Sequence, residues 1–240
     1  YISKIEAKRE IQKEELHRLI NQQKFDIVNA QDVRTVMALK EIRCTLPVIL
    51  TVHGYLRDEA VSAGAVSRGS KEDEYLLNSE WKGYRYADDI IAVDTRISEH
   101  VLKISGRKAH VLHNFVNVEN YFADMHLRMK TRSELSISPE EKVIFCPRRL
   151  TAKNGVMVLV KAFKIVSARN RNIRLIIAGD GEERGSIENY IRKHGLNNVV
   201  LLGTVKPEEM LHYYNMSDVV CIPSVTVAGV QEATSVACLE

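Results

Sequence analysis

The feature that most narrows the fold is an alternation. Short, unbroken apolar runs rich in Val and Ile take turns with longer stretches of helical spacing. The runs fall at 25–30, 46–52, 89–93 and 110–113, and again at 142–146, 173–178, 199–202 and 218–222. They are continuous rather than apolar at every second residue, which predicts strands buried on both faces of a parallel sheet. Between them the spacing predicts helices over 2–22, 32–42, 74–86, 95–104, 155–168, 186–194, 207–214 and 234–240. The expected class is α/β, with two tandem βαβ domains. No repeat of fixed period joins the halves, which argues against a solenoid.

Apolar density falls and charges crowd in after Asn117, so the expected organisation is a first domain over 1–118, a linker over 119–141 and a second domain over 142–240. Both ends look cut. Tyr1 is not a start residue, and the last helical pattern reaches Glu240 with no Gly, Asn or Pro to stop it. The chain is therefore expected to be an internal piece of a longer protein.

Composition excludes other classes. At 45% apolar and 27% charged, 240 residues are neither collagen, nor low-complexity disorder, nor a disulfide mini-protein. Lys plus Arg at 34 against Asp plus Glu at 31 leaves 34 − 31 = +3, which demands no nucleic-acid partner. Cys44, Cys146, Cys221 and Cys238 are scattered without a C-x-x-C spacing, so a reducing cytoplasm is expected. No apolar run approaches the roughly 20 residues that span a bilayer. A soluble protein is expected, with contact at the inner face of a membrane left open.

In open parallel sheets ligands sit beyond the carboxyl ends of strands, which directs attention to four loops in the second half. After 142–146, Arg148, Arg149 and Lys153 precede Gly155 at a helix entrance. That suits a diphosphate, although a solvated basic loop reads the same way. After 173–178 come Gly179, Asp180 and Gly181, where glycines permit a tight turn and close approach of a ligand. After 199–202, Gly203, Thr204 and Val205 offer backbone amides to a base edge, or simply a turn. The fourth loop follows Pro223 and Ser224 and carries Glu232 and Glu240. Eight residues of helix would set these carboxylates roughly 12 Å apart along the axis. That is close to the reach from the hexose of a sugar nucleotide to its ribose, whereas two surface glutamates are the plain alternative.

In this order the motifs resemble the GT4-like retaining glycosyltransferases of the GT-B fold. The family pattern reads G-R-L-x-x-x-K-G, G-x-G, G-x-V, P-S and E-x7-E. The chain answers with Arg149 and Leu150, Gly179 to Gly181, Gly203 to Val205, Pro223 and Ser224, and Glu232 with Glu240. The resemblance implies two Rossmann-like domains facing a cleft, both incomplete here. It implies hexosyl transfer from a UDP- or GDP-sugar with retention; no D-x-D pair follows a strand, so nothing in the sequence demands a metal or other cofactor. The acceptor would be lipid-linked, a polysaccharide or a small molecule. It further implies Arg149 and a lysine on the diphosphate, Val205 by the base, Glu240 on the ribose, and Glu232 with His53 by the donor sugar. One departure stands out: Asn154 occupies the lysine position, with Lys153 one place earlier.

Asp94 ends a strand and competes between capping a helix and an acceptor role. The polar stretch 57–72 reads either as a mobile acceptor-side loop or as disorder. Two rival functions keep the same cleft: a sugar-nucleotide epimerase, and a non-catalytic nucleotide-sensing domain. The isolated piece is expected to be inactive.

Overall fold

A computed structural model describes every residue from Tyr1 to Glu240 except Ala228. The chain divides into two compact units. The first runs over Tyr1–Asn114 and takes in the short segment ending at Thr234; the second runs over Phe115–Val227 and Ser235–Glu240.

The first unit holds, in chain order, α1 (Ile2–Gln22), β1 (Val28–Ala30), α2 (Val33–Glu41), β2 (Val48–Val52), α3 (Leu56–Ser62), α4 (Lys71–Tyr86), β3 (Asp89–Ala92), α5 (Thr95–Ser105) and β4 (His110–Val111). The four strands form one parallel sheet in the order β1-β2-β3-β4. The helices start where side chains can accept orphan N–H groups: Asp32 accepts from Thr35, Ser70 from Asp73 and Asp94 from Ile97. Leu50, Ile90, Ala92, Ile97 and Val101 are fully buried between the sheet and its helices.

Two expectations are corrected here. The strand expected over 25–30 shortens to three residues, because only Val28 to Ala30 find ladder partners on β2. The polar stretch 57–72 is ordered: it contains α3 and enters α4. Buried Asp73 accepts from both Arg57 Nε and Nη2 at 2.7 Å and from the Gly69 N–H at 2.9 Å. These charge-assisted bonds tie the turn down.

The second unit holds α6 (Met125–Glu134), β5 (Lys142–Pro147), α7 (Val156–Arg169), β6 (Ile173–Ala178), α8 (Arg184–Lys193), β7 (Val199–Gly203), α9 (Met210–Met216), β8 (Val219–Val220) and α10 (Val236–Leu239). Its strands are parallel in the order β7-β6-β5-β8. Successive residues of a strand face opposite ways, and this sheet uses both faces. Ile144, Cys146, Leu175 and Ile177 join a cluster with Val160, Phe163 and Ile187 of α7 and α8. Val143, Phe145, Ile176 and Ala178 join another with Met216 of α9. The continuous apolar runs were the sequence trace of this double burial.

The stretch expected as a linker carries α6, and arginines fix it to the second unit. Arg128 donates to the carbonyls of Asn215 (2.9 Å) and Ser217 (2.6 Å) and pairs with Asp218. Arg132 is buried and donates to the carbonyls of Met216, Ser138 and Glu141.

Candidate functional site

The carboxyl ends of β5, β6 and β7 open into a cleft of about 490 Å3, lined by Arg148, Arg149, Gly179, Val205, Met210 and Glu240 among others. The loops that form it are laced together by backbone bonds. Leu150 N donates to Asp180 O at 3.0 Å, and Gly179 N to Gly203 O at 2.7 Å. A Cβ on Gly179, whose φ is +145°, would lie 2.1 Å from Arg148 O; one on Gly181 would lie 2.5 Å from Leu150 O. The close approach expected of a ligand at these glycines is thus already made by a neighbouring loop's main chain.

Of the two adjacent arginines, Arg149 is exposed on the cleft wall. Arg148 is only 7% exposed. Its Nη2 donates to Asn154 Oδ1 (2.7 Å) and Ser224 Oγ (3.1 Å), and its Nη1 to Ser235 Oγ (2.7 Å). Buried Asn154 donates in turn to Arg149 O at 2.8 Å. Lys153 is half-buried in a 3-10 turn and its carbonyl accepts from Val225 N. Gly155 follows with φ +67°, and a Cβ there would lie 2.0 Å from Pro223 O.

Glu240 accepts a hydrogen bond from the Tyr214 hydroxyl, and Tyr121 also engages its carboxylate. Burial first, and then this carboxylate, raises both phenols, pushing Tyr121 up to about 12. Glu240 also lines an adjacent groove of about 620 Å3 beside Tyr121, Arg128 and Asn215.

The expected helix over 234–240 shrinks to α10, four residues long, and 231–235 is not helical. The axial spacing inferred for Glu232 and Glu240 therefore does not apply. Glu232 lies in the first unit, half-buried, and its carbonyl accepts from Arg96 Nη2 at 2.8 Å.

His53, exposed just past β2, shares a 2.7 Å hydrogen bond between its Nε2 and Gln31 Oε1. Both line a smaller cavity of about 150 Å3 with Arg34 and Glu59. Asp94 caps α5, accepting from Ile97 N at 2.9 Å, and pairs with Arg96. Of the eight expected site residues, the second unit's cleft is lined by Arg149, Gly179, Val205 and Glu240; Gly181 and Lys153 sit in the same loops but are not among the residues that line it. His53 and Glu232 belong to the first unit.

Sequence reasoning named Arg148 in the basic loop without seeing that it folds inward, and it missed Arg96, Tyr121 and Tyr214. The Arg-Arg doublet was the visible signal for the first, but a doublet does not say which guanidinium folds inward. The other three act across long sequence separations and leave no local pattern. Among the described residues no group of three or more His, Cys, Asp or Glu side chains is placed to hold a metal ion, and no helix is long and apolar enough to cross a membrane.

Comparison with known proteins gives the fold and the family. The model of glycosyltransferase family 4 matches residues 8–120, and that of glycosyl transferases group 1 matches residues 128–240. An uncharacterized glycosyltransferase of Methanocaldococcus jannaschii is 28% identical over 214 residues, 84% of this chain and 52% of the relative. Among solved structures, Anabaena HepE in complex with UDP and glucose superimposes with a TM-score of 0.66 at 20% identity, over 83% of this chain and 53% of that one. Sucrose-phosphate synthase of Thermosynechococcus elongatus does so with 0.68 at 19%, over 89% and 52%. The two parallel-sheet halves are those of the GT-B glycosyltransferase fold. Within that fold, the chain belongs to the GT4-like glycosyltransferase family. It spans about half the length of the relatives it matches.

Proposed function

We propose that the protein carrying this chain transfers a hexosyl group from a nucleoside diphosphate sugar, UDP- or GDP-linked, to an acceptor hydroxyl with retention of anomeric configuration. The observation that carries the reading is the cleft at the ends of β5 to β7, where a cationic wall (Arg148, Arg149), an apolar shelf (Val205, Met210) and a carboxylate (Glu240) face one space. Those are the three chemistries of a diphosphate, a base and a ribose. The complex of HepE with UDP and glucose supports the same donor class.

In this reading Arg149, with Lys153 from the adjoining turn, opposes the charge that grows on the diphosphate as the anomeric bond breaks, so the leaving group needs no metal. Gly179 and Gly181 set the wall, Val205 meets the base, and Glu240, oriented by two tyrosine hydroxyls, accepts from the ribose diol. Glu232 and His53 act on the donor sugar. The acceptor is lipid-linked, a polysaccharide or a small molecule, and no nucleic acid takes part. The free thiols of Cys44, Cys146, Cys221 and Cys238 suit a cytoplasmic reaction, including one at the inner membrane face.

The test is a thermal-shift screen of the complete protein against UDP-, GDP- and ADP-sugars. A true donor at 100 times its Kd should add about 2.7 kcal/mol of stability. Glu240→Ala should weaken that donor about tenfold or more through lost charge-assisted hydrogen bonds, while Glu232→Ala should chiefly lower kcat. No shift with any nucleotide sugar rejects the reading, and conversion of a lone sugar nucleotide to its epimer replaces it.

A further inference from the structure

We propose that Arg96 is a positioning residue: it fixes the main chain on which Glu232 stands, and so sets where the Glu232 carboxylate meets the donor sugar. The inference rests on the reading of Glu232 given above and adds the side chain through which that carboxylate is placed.

The first observation is the state of the backbone. Residues 231–235 form neither helix nor strand, so no ladder of main-chain bonds holds the carbonyl of Glu232. A side chain holds it instead. Arg96, in the first turn of α5, donates from Nη2 to Glu232 O at 2.8 Å and from Nη1 to Gln231 Oε1 at 2.6 Å. One guanidinium thus grips two successive residues.

The second observation is what aims the guanidinium. Arg96 Nη2 also donates to Asp94 Oδ2 at 2.9 Å, while Asp94 Oδ1 accepts from Ile97 N at 2.9 Å. Asp94 is buried and caps α5, so the helix fixes the aspartate, the aspartate aims the arginine, and the arginine holds the main chain. Only a planar fork serves all three acceptors. A lysine ammonium is a point charge that answers Asp94 without spreading two nitrogens toward Gln231 and Glu232.

The third observation is the frame on either side. Val230 is buried, Ala233 packs on the first unit's core, and Asn114 Nδ2 reaches Thr234 O at 3.4 Å. These contacts hold Val230, Ala233 and Thr234, and Arg96 holds the two residues between Val230 and Ala233.

The experiment follows release of nucleoside diphosphate from UDP-glucose and GDP-mannose by the complete protein and its variants, with water and then a detergent extract of cell lipids and polysaccharide as acceptor. Misplacing a reacting group by about 1 Å costs on the order of 100-fold in rate, so Arg96→Ala should lower kcat about tenfold or more and leave the donor KM within about twofold. The side chain is 47% exposed, so the urea midpoint should stay near wild type. Arg96→Lys keeps the charge opposite Asp94 but loses the fork, and its kcat should stay low. Arg96→Ala combined with Glu232→Ala should be within about twofold of Glu232→Ala alone, because placement stops mattering once the carboxylate is gone.

Wild-type kcat in Arg96→Ala or in Arg96→Lys overturns the proposal. So does a double variant whose losses multiply, which marks Arg96 as acting elsewhere, or a urea midpoint that falls in step with kcat, which marks a structural strut. Should Arg96→Ala fail to fold, Arg96→Lys decides alone. Wild-type turnover in Glu232→Ala sinks the reading of Glu232, and a wild-type protein that turns over neither sugar nucleotide sinks the donor reading; both results are distinct from any behaviour of the Arg96 variants, and either takes the proposal with it.

Discussion

The two units solve one structural problem with the same chemistry drawn from different places. A strand entering a parallel sheet leaves an N–H near its start in need of an acceptor. In the first unit Asp88, just ahead of β3, accepts from Val48 N at 2.7 Å; in the second Asp218, just ahead of β8, accepts from Val143 N at 2.8 Å. In each, arginine satisfies carbonyls at the end of the preceding helix. Arg107 donates to the carbonyls of Tyr84, Ala87 and Asp88 at the end of α4. Arg128 and Arg132 donate to Asn215, Met216 and Ser217 at the end of α9. The first unit takes its arginine from downstream of α5, and the second takes its pair from α6, far upstream. The lesson is that parallel-sheet topology dictates the need for an acceptor and a cap, while the residue that supplies the cap is free to vary. That is why the halves share an architecture without a sequence repeat.

They differ more at the opposite, carboxyl ends of the strands. There the second unit opens a cleft of about 490 Å3 and the first a cavity of about 150 Å3. The larger cleft depends on loops pressed together through glycine, so the largest effect is expected at Gly179. Gly179→Ala puts a methyl 2.1 Å from a backbone oxygen at a φ of +145°. Overpacking against main chain should cost about 3 kcal/mol and abolish nucleotide binding. In the first unit Gly83→Ala meets the Val33 side chain at 2.6 Å, where α4 crosses α2. The atom met is Val33 Cβ, which moves only with its own backbone, so α4 and α2 must part slightly; but Gly83 carries no left-handed φ to strain, and about 1–2 kcal/mol is expected, read from urea unfolding by the fluorescence of Trp81, the only tryptophan. Equal costs at the two positions would break the contrast between a left-handed turn held against another loop and a helix crossing whose two helices can part.

Next in size come the two aspartates. Burial pushes the Asp218 carboxyl up, but the Val143 N–H together with Arg128 and Arg132 outweighs it and holds the group below its ordinary value. Asp218→Ala strands a buried N–H and two guanidinium partners, so a loss of about 2–3 kcal/mol is expected. Asp88→Ala strands the Val48 N–H, and about 1 kcal/mol is expected. Urea midpoints of the two variants measure the difference. A larger loss at Asp88 would show that the arginines, rather than the aspartates, bear the load.

The strand and helix order was legible because double burial leaves continuous apolar runs and caps leave Asp or Ser just before a helix, as at Asp32, Ser70 and Asp94. The loop residues of the cleft were legible for a related reason: after each strand a glycine or cation stands at a position the topology exposes. What stayed hidden depends on contacts far apart in sequence. Asp73 gives no sign in the sequence that Arg57 and the Gly69 N–H converge on it, so 57–72 reads as loose. The span from Glu232 to Glu240 reads as helix from spacing, but only Val236–Leu239 is helical. Nothing local distinguishes an inward Arg148 from an outward Arg149. Their order follows from where Asn154, Ser224 and Ser235 arrive in space.

The smallest expected effect separates the units by pH. The Arg57 guanidinium, and then the Gly69 N–H, hold the Asp73 carboxyl down to about 2. An aspartate in the unfolded chain titrates near 3.9, so roughly between pH 4 and pH 2 the unfolded state binds the proton more readily than the folded one. The stabilisation is complete above that window and fades as pH falls through it, and it falls on the first unit, where Arg57, Asp58, Arg68 and Asp73 knit the start of α4. Trp81 fluorescence should therefore report a falling urea midpoint from pH 4 to pH 2.5. Asp73→Asn should lower that midpoint at pH 7 and flatten its change with pH over this range. Because Arg57 pairs through both Nε and Nη2, Arg57→Lys should recover only part of the slope, since an ammonium offers no matching fork. A variant with the wild-type slope would shift the acid response to another carboxylate and leave the Arg57 fork as packing alone.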